Sequence, residues 1–162
     1  MSESEQMRTT PGALVWRLAN RWRTAVDRAV GDLGLTHATY VVLTTLYAEN
    51  AALRSAPDDA PSQRAIADAS GLEPVYVSRL LRTLEREGMV SRVRDQTDTR
   101  IIRLHLTAHG LATVTDAMAA VQELLGRLLG PLGGLDSQRT SDFTRTLDDL
   151  LAAPLDDKEA DA

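Results

Sequence analysis

The chain has 162 residues, 43% hydrophobic, 4% aromatic and 25% charged. That is enough for one globular domain with an appended oligomerisation element and too little for two large ones. It has no cysteine, which excludes disulfide scaffolds, thiolate zinc sites, cysteine nucleophiles and thiol redox sensing, and fits a cytoplasmic protein. Eighteen Lys and Arg against 23 Asp and Glu give a formal net charge of -5, which as an average speaks against a nucleic-acid partner held by bulk charge.

The first residues, MSESEQMR, have neither a basic start nor an apolar core, so no secretion signal is expected. Thr10-Pro11 is an N-cap and first-turn pair, and Val15, Leu18, Trp22, Val26, Ala29 and Leu33 recur at spacings of 3 and 4. These predict a first helix over 11–32. Thr36 caps a second helix carrying Tyr40, Leu43 and Leu46, fading near Asn50. The charge-free stretch Leu33–Ala48 contains four threonines and His37 and is no membrane span. Residues 51–61, with two prolines and two aspartates, read as a surface loop.

Ser62 caps a short helix that stops at Gly71, and Glu73-Pro74 opens another whose Val77, Leu80, Leu81 and Leu84 form one apolar face. Two short helices around a glycine turn, the second with a basic opposite face, outline a helix-turn-helix. Val90–Arg94 and Ile101–Leu106 flank a DQTDT turn as a β-hairpin, which after a recognition helix is a wing. Leu111, Val114, Met118, Val121, Leu125, Leu128 and Leu132 then form a heptad seam. A last helix capped by Asp136 carries Phe143, Leu147, Leu150 and Leu151, and 154–162 is an acidic, disordered tail. The fold class is mainly α with a small hairpin wing. The organisation is a winged helix-turn-helix over 35–106, with a helical dimerisation region from 1–34 and 107–153.

Charge is not evenly spread. Between Tyr76 and Leu106 seven arginines face four acids, a local +3, leaving -8 for the rest of the chain. A basic island in an acidic protein is the footprint of a DNA-reading face. Seventeen of the 18 basic residues are arginine, a bias that either reflects codon usage or serves bidentate contacts to phosphate and guanine. On the second short helix Val75, Tyr76, Ser78, Arg79 and Arg82 are placed to meet the major groove: Val75 against a thymine methyl, Tyr76 and Ser78 on phosphate or a base edge, Arg79 on guanine or phosphate. In the hairpin, Arg92 and Arg94 share one strand face. Arg100 beside the turn suits the minor groove, and Asp98 either holds the loop and orients that arginine or is an ordinary turn aspartate.

The ordered motifs resemble the MarR family of winged-helix transcription regulators. The resemblance rests on LTHATYVVL at 35–43, SQRAIADASGLEPVYVSRLLRTLEREGMV at 62–90 and RVRDQTDTRIIRLHLTAHG at 92–110. The D-x-x-D-x-R wing followed by Leu-Thr-x-x-Gly is its most specific part. It implies that Arg100 reaches the minor groove, that Asp98 steadies it, and that Val75, Tyr76, Ser78 and Arg79 touch DNA with Ser62 and Gln63 near the backbone. It also implies a homodimer joined through the first and last helices, reading a pseudopalindrome with half-sites about one DNA turn apart. The apolar faces of the first, heptad and last helices point independently to isologous dimerisation.

The chain departs from the family where Val75 and Tyr76 replace small hydroxyl residues, where Thr99 stands in place of a second wing arginine, and in the long 51–61 loop. Many relatives release DNA on binding a small aromatic or lipophilic effector, for which Trp16, Trp22, His37, Tyr40 and Met118 are the candidates, with Arg17 or Arg23 as an anion partner. A ligand-relieved repressor is the leading reading. The alternatives are a DNA binder without effector and a helical protein-interaction module. An enzyme fits poorly: His37, His105 and His109 lack metal-site spacing, and neither a G-x-S-x-G elbow nor a Gly-rich phosphate loop occurs. No cofactor or metal is expected.

Overall fold

The computed structural model describes residues 10–52, 60–95, 98 and 100–154. In chain order these form helices α1 (Pro11–Val30), α2 (His37–Ala52), α3 (Gln63–Ser70) and α4 (Pro74–Arg86), strands β1 (Val90–Arg94) and β2 (Ile102–Leu106), and helices α5 (Ala108–Leu128) and α6 (Gln138–Ala152). Single 3-10 turns occur at Gly31–Leu33 and Gly130–Leu132. This is the mainly helical, hairpin-bearing architecture read from the sequence. The chain divides into two compact units, Met1–Val121 and Gln122–Ala162.

In the first unit, α1 starts on Thr10, whose hydroxyl accepts the Ala13 N–H at 3.4 Å, and buries only Val26 and Val30. α2 starts on a reciprocal threonine pair. Thr36 Oγ1 accepts the Thr39 N–H at 3.2 Å and Thr39 Oγ1 accepts the Thr36 N–H at 2.8 Å, so Thr39 does the work usually given to Glu or Gln in a capping box. Its fully buried Val42, Leu43 and Leu46 form the centre on which α1, α3, α4 and β2 pack.

Ser62 caps α3 by accepting the Ala65 N–H at 3.1 Å. Gly71, at φ 66, supplies the left-handed turn that redirects the chain into α4. The apolar face of α4, Val77, Leu80, Leu81 and Leu84, is buried as its spacing predicts. β1 and β2 pair antiparallel from Val90↔Leu106 to Arg94↔Ile102. A third, minimal strand that the sequence reading lacked lies beside β2: Pro61 C=O accepts the Leu104 N–H at 3.0 Å and Ser62 bridges Arg103. α5 lies so close to the end of the turn after α4 that a Cβ on Gly110 would sit 1.9 Å from the Met89 carbonyl oxygen.

Two expectations need correction. The buried face of α5 is Gly110, Thr113, Val114, Ala117 and Val121, because small residues allow the closest approach there. Of the seam, Val114 and Val121 are thus taken up by the chain's own core at 0% and 6% exposure, whereas Leu111 and Met118 remain 48% and 39% exposed. The seam also stops at Leu128, since Pro131 has no N–H to continue the ladder, and the chain passes into the 3-10 turn Gly130–Leu132. In the second unit the cap of α6 is Ser137, not Asp136. Its hydroxyl accepts the Thr140 N–H at 3.1 Å while donating to Leu132 C=O at 2.8 Å, and a carboxylate can only accept. From Leu155 the acidic tail lies outside the described residues, as do residues 53–59 of the loop and Gln96, Thr97 and Thr99 of the wing turn.

Candidate nucleic-acid interface

The basic island resolves into paired and unpaired cations. All four of its acids bind arginines: Glu85 with Arg92 at 3.5 Å, Glu87 with Arg86 at 3.5 Å, Asp95 with Arg103 at 2.7 Å and Asp98 with Arg100 at 2.9 Å. Among the described residues Arg79, Arg82 and Arg94 have no carboxylate partner. The local charge of +3 therefore rests on these three exposed side chains.

Arg79 and Arg82 line one open concavity of about 410 Å³ with Gln63, Pro74, Val75 and Ser78. Six residues of α3 and α4, five of them expected on the DNA face, thus share a surface. Val75 is 76% exposed and Tyr76 41%. Ser62 is half-buried and spends its acceptor on the helix cap, which leaves its O–H free to donate outward.

Arg92 does not join Arg94 on an open face. Its side chain is 20% exposed; it donates to Gln63 Oε1 at 3.2 Å and pairs with Glu85, tying β1 to both helices. Its buried Nε has no partner among the described residues. Arg103, similarly, is a clamp: it donates to Asp95 at 2.7 Å and to Ala60 C=O at 3.0 Å, fastening the third strand to the wing. Neither link was legible from the sequence, since Gln63 and Arg92 stand 29 residues apart, with no periodicity to connect them.

At the wing tip, Asp98 forms a fork with Arg100. Oδ1 accepts both the backbone N–H and Nε of Arg100 at 3.0 Å, and Oδ2 accepts a terminal guanidinium N–H at 2.9 Å. These bonds hold the Asp98 carboxyl below its ordinary range and raise the Arg100 guanidinium. Asp98 N–H in turn donates to Asp95 at 2.9 Å. The arginine side chain is 89% exposed, with the three bonds to Asp98 orienting it towards one carboxylate.

The effector candidates are spread out. Trp16, 71% exposed, lines a shallow surface of α1 with Leu14, Arg17, Leu18, Asn20 and Arg21, and none of Trp22, His37, Tyr40 or Met118 lines it. Trp22 and Tyr40 are half-buried and Met118 is exposed. His37 opens α2, its backbone N–H donating to Asp27. Burial pushes its imidazole pKa down, Asp27 opposes that and Arg23 adds to it. Burial also raises the Tyr40 phenol. A different concavity of about 240 Å³, lined by Tyr47, Asn50, Ala51, His105, Leu106 and Leu111, was not foreseen.

A glycine-hinged helix pair, a reading helix with uncompensated arginines and a hairpin with an oriented arginine define a winged helix DNA-binding regulator. The family model for the MarR family matches residues 35–102. The chain is 31% identical over 116 residues to the uncharacterized HTH-type transcriptional regulator YdcH of Bacillus subtilis (strain 168), covering 72% of this chain and 76% of that protein. Its fold is similar to the S. aureus MepR–DNA complex (TM-score 0.73, 24% identity, 88% and 95% of the two chains). It is also similar to CouR from Rhodococcus jostii RHA1 bound to p-coumaroyl-CoA (TM-score 0.73, 25% identity, 92% and 96%). The protein belongs to the MarR family and is a DNA-binding transcriptional regulator. Among the described residues no helix is long and apolar enough to cross a membrane.

Proposed function

We propose that the protein is a cytoplasmic homodimeric repressor that reads a pseudopalindromic operator through α4 and the wing, and that a small aromatic or lipophilic ligand relieves repression. In this reading 35–106 is the DNA-binding module, 1–34 and 107–153 form the dimerisation region, and the chain acts by binding alone. The observation that carries it is the charge resolution of the island: four arginines are held by its four acids, and Arg79, Arg82 and Arg94 are left for DNA. CouR, which is bound to p-coumaroyl-CoA, supports the ligand class. Trp16, Trp22, His37, Tyr40 and Met118 remain the residues assigned to it.

The salt dependence of binding to the DNA flanking its own gene tests the interface. Three cations per protomer predict a log-affinity against log-salt slope of about -5 for a dimer, and about -7 if Arg100 also reaches a phosphate. All seven island arginines would give about -13. A slope that steep, or no sequence preference in footprinting, overturns the assignment. Adding p-coumaroyl-CoA or simpler phenolic acids should release the complex; indifference to the whole series favours a regulator without effector.

A further inference from the structure

The apolar start of the reading helix is unused by the fold. Val75 follows Pro74 in the first turn of α4 and leaves 76% of its surface in water, on the same concavity as Arg79, which has no carboxylate partner among the described residues. An exposed valine gains nothing from burial in the free protein, and a β-branched residue is a mediocre choice for a solvated helix position. In the major groove the one apolar group that base pairs display is the thymine C5-methyl, while a guanidinium matches guanine O6 and N7. Val75 and Arg79 are one helical turn apart, about 6 Å along the axis, which spans about two base-pair steps.

We infer that each half-site carries a thymine whose methyl packs on Val75 and, within about two base pairs, a guanine read by Arg79. This deepens the DNA-binding reading above and rests on it. Val75 is thereby a specificity residue and not a phosphate anchor. A protein with serine at this position would present a hydroxyl in place of both valine methyls and would lack the methyl preference.

The test starts from selection of a random-sequence duplex library with the full-length protein, followed by single replacements in the selected site. Thymine to deoxyuridine removes only the methyl, and guanine to 7-deazaguanine removes only N7. One thymine per half-site should respond to deoxyuridine with about a fourfold loss, the worth of one buried methyl, and Val75→Ala, which keeps only its Cβ for that contact, should respond distinctly less to the same replacement. One nearby guanine should respond to 7-deazaguanine by about tenfold, with Arg79→Ala indifferent. Because Val75 is exposed, Val75→Ala should keep its thermal transition, so lost discrimination is not lost fold. If deoxyuridine affects wild type and Val75→Ala equally at every thymine, or affects neither, the inference fails while the DNA-binding reading stands. If selection enriches no sequence, that reading fails first.

Discussion

Arg100 shows how one side chain is made ready for a groove. Its guanidinium and its own backbone N–H converge on Asp98, which biases the long side chain towards one direction before any DNA arrives, so that less rotamer entropy is lost on binding. The depressed Asp98 pKa sets the sign of the pH response: the fork is complete above the ordinary carboxylate value and loosens as the pH falls through the depressed one, so it stays intact through the neutral range. Arg100→Ala should weaken operator binding and reduce the salt slope by about 0.9 per protomer if the side chain meets one phosphate. Asp98→Asn should do something different, because it removes a negative charge from the DNA face and frees the cation. Affinity for random duplex rises while the ratio of specific to non-specific affinity falls. Fluorescence anisotropy on operator and scrambled duplexes separates the two, and parallel changes on both would count against an orienting role.

At the scale of elements, the joint between helix-turn-helix and wing is Arg92. Its charge is spent on Glu85 and one of its N–H groups on Gln63 Oε1, which orients the Gln63 amide at the edge of the concavity that residue shares with Arg79 and Arg82. Replacing Arg92 with Met, which keeps a long apolar stem, should lower DNA affinity through loss of Gln63 orientation and leave the salt slope unchanged. Arg94→Ala should lower the slope by about 0.9 per protomer. A fall in slope for Arg92→Met would return that residue to the set of phosphate contacts. The buried stripe of α4 follows from a periodicity of 3.6 and was legible residue by residue, and the two strands follow from a period of 2, although Ile101 lies outside β2 and the inward turn of Arg92 was not foreseen. What periodicity does not encode is a side-chain link across 29 positions, such as Gln63 to Arg92, or the choice between adjacent caps Asp136 and Ser137, which turns on a single hydroxyl proton. The rotation of the α5 face was hidden for a related reason. Leucines dominate a hydrophobic pattern, whereas the closest packing used Gly110, Thr113 and Ala117.

For the whole molecule, the net charge of -5 is composed of +3 on the island and -8 elsewhere, an average that is itself uneven, since α1 carries Arg17, Arg21, Arg23 and Arg28 against Asp27 alone. The remaining unsatisfied feature is apolar. Leu14, Val15, Trp16 and Leu18 on α1, and Leu147, Leu150 and Leu151 on α6, stay exposed in the single chain. Each is worth about 1.5–3 kcal/mol when fully buried, and a two-fold interface would use each patch twice. Leu151 discriminates best. It is 84% exposed, so Leu151→Asp costs the isolated chain little, whereas a charge placed in an apolar interface is desolvated without a partner. The wild type should sediment as a dimer at micromolar concentration and bind two half-sites far more tightly than one. Leu151→Asp should shift the equilibrium towards monomer and lose the advantage of the second half-site while keeping single-half-site affinity and its salt slope. A monomeric wild type, or a variant that dimerises and discriminates between one and two half-sites as the wild type does, would remove α6 from the interface and leave its leucines to another partner.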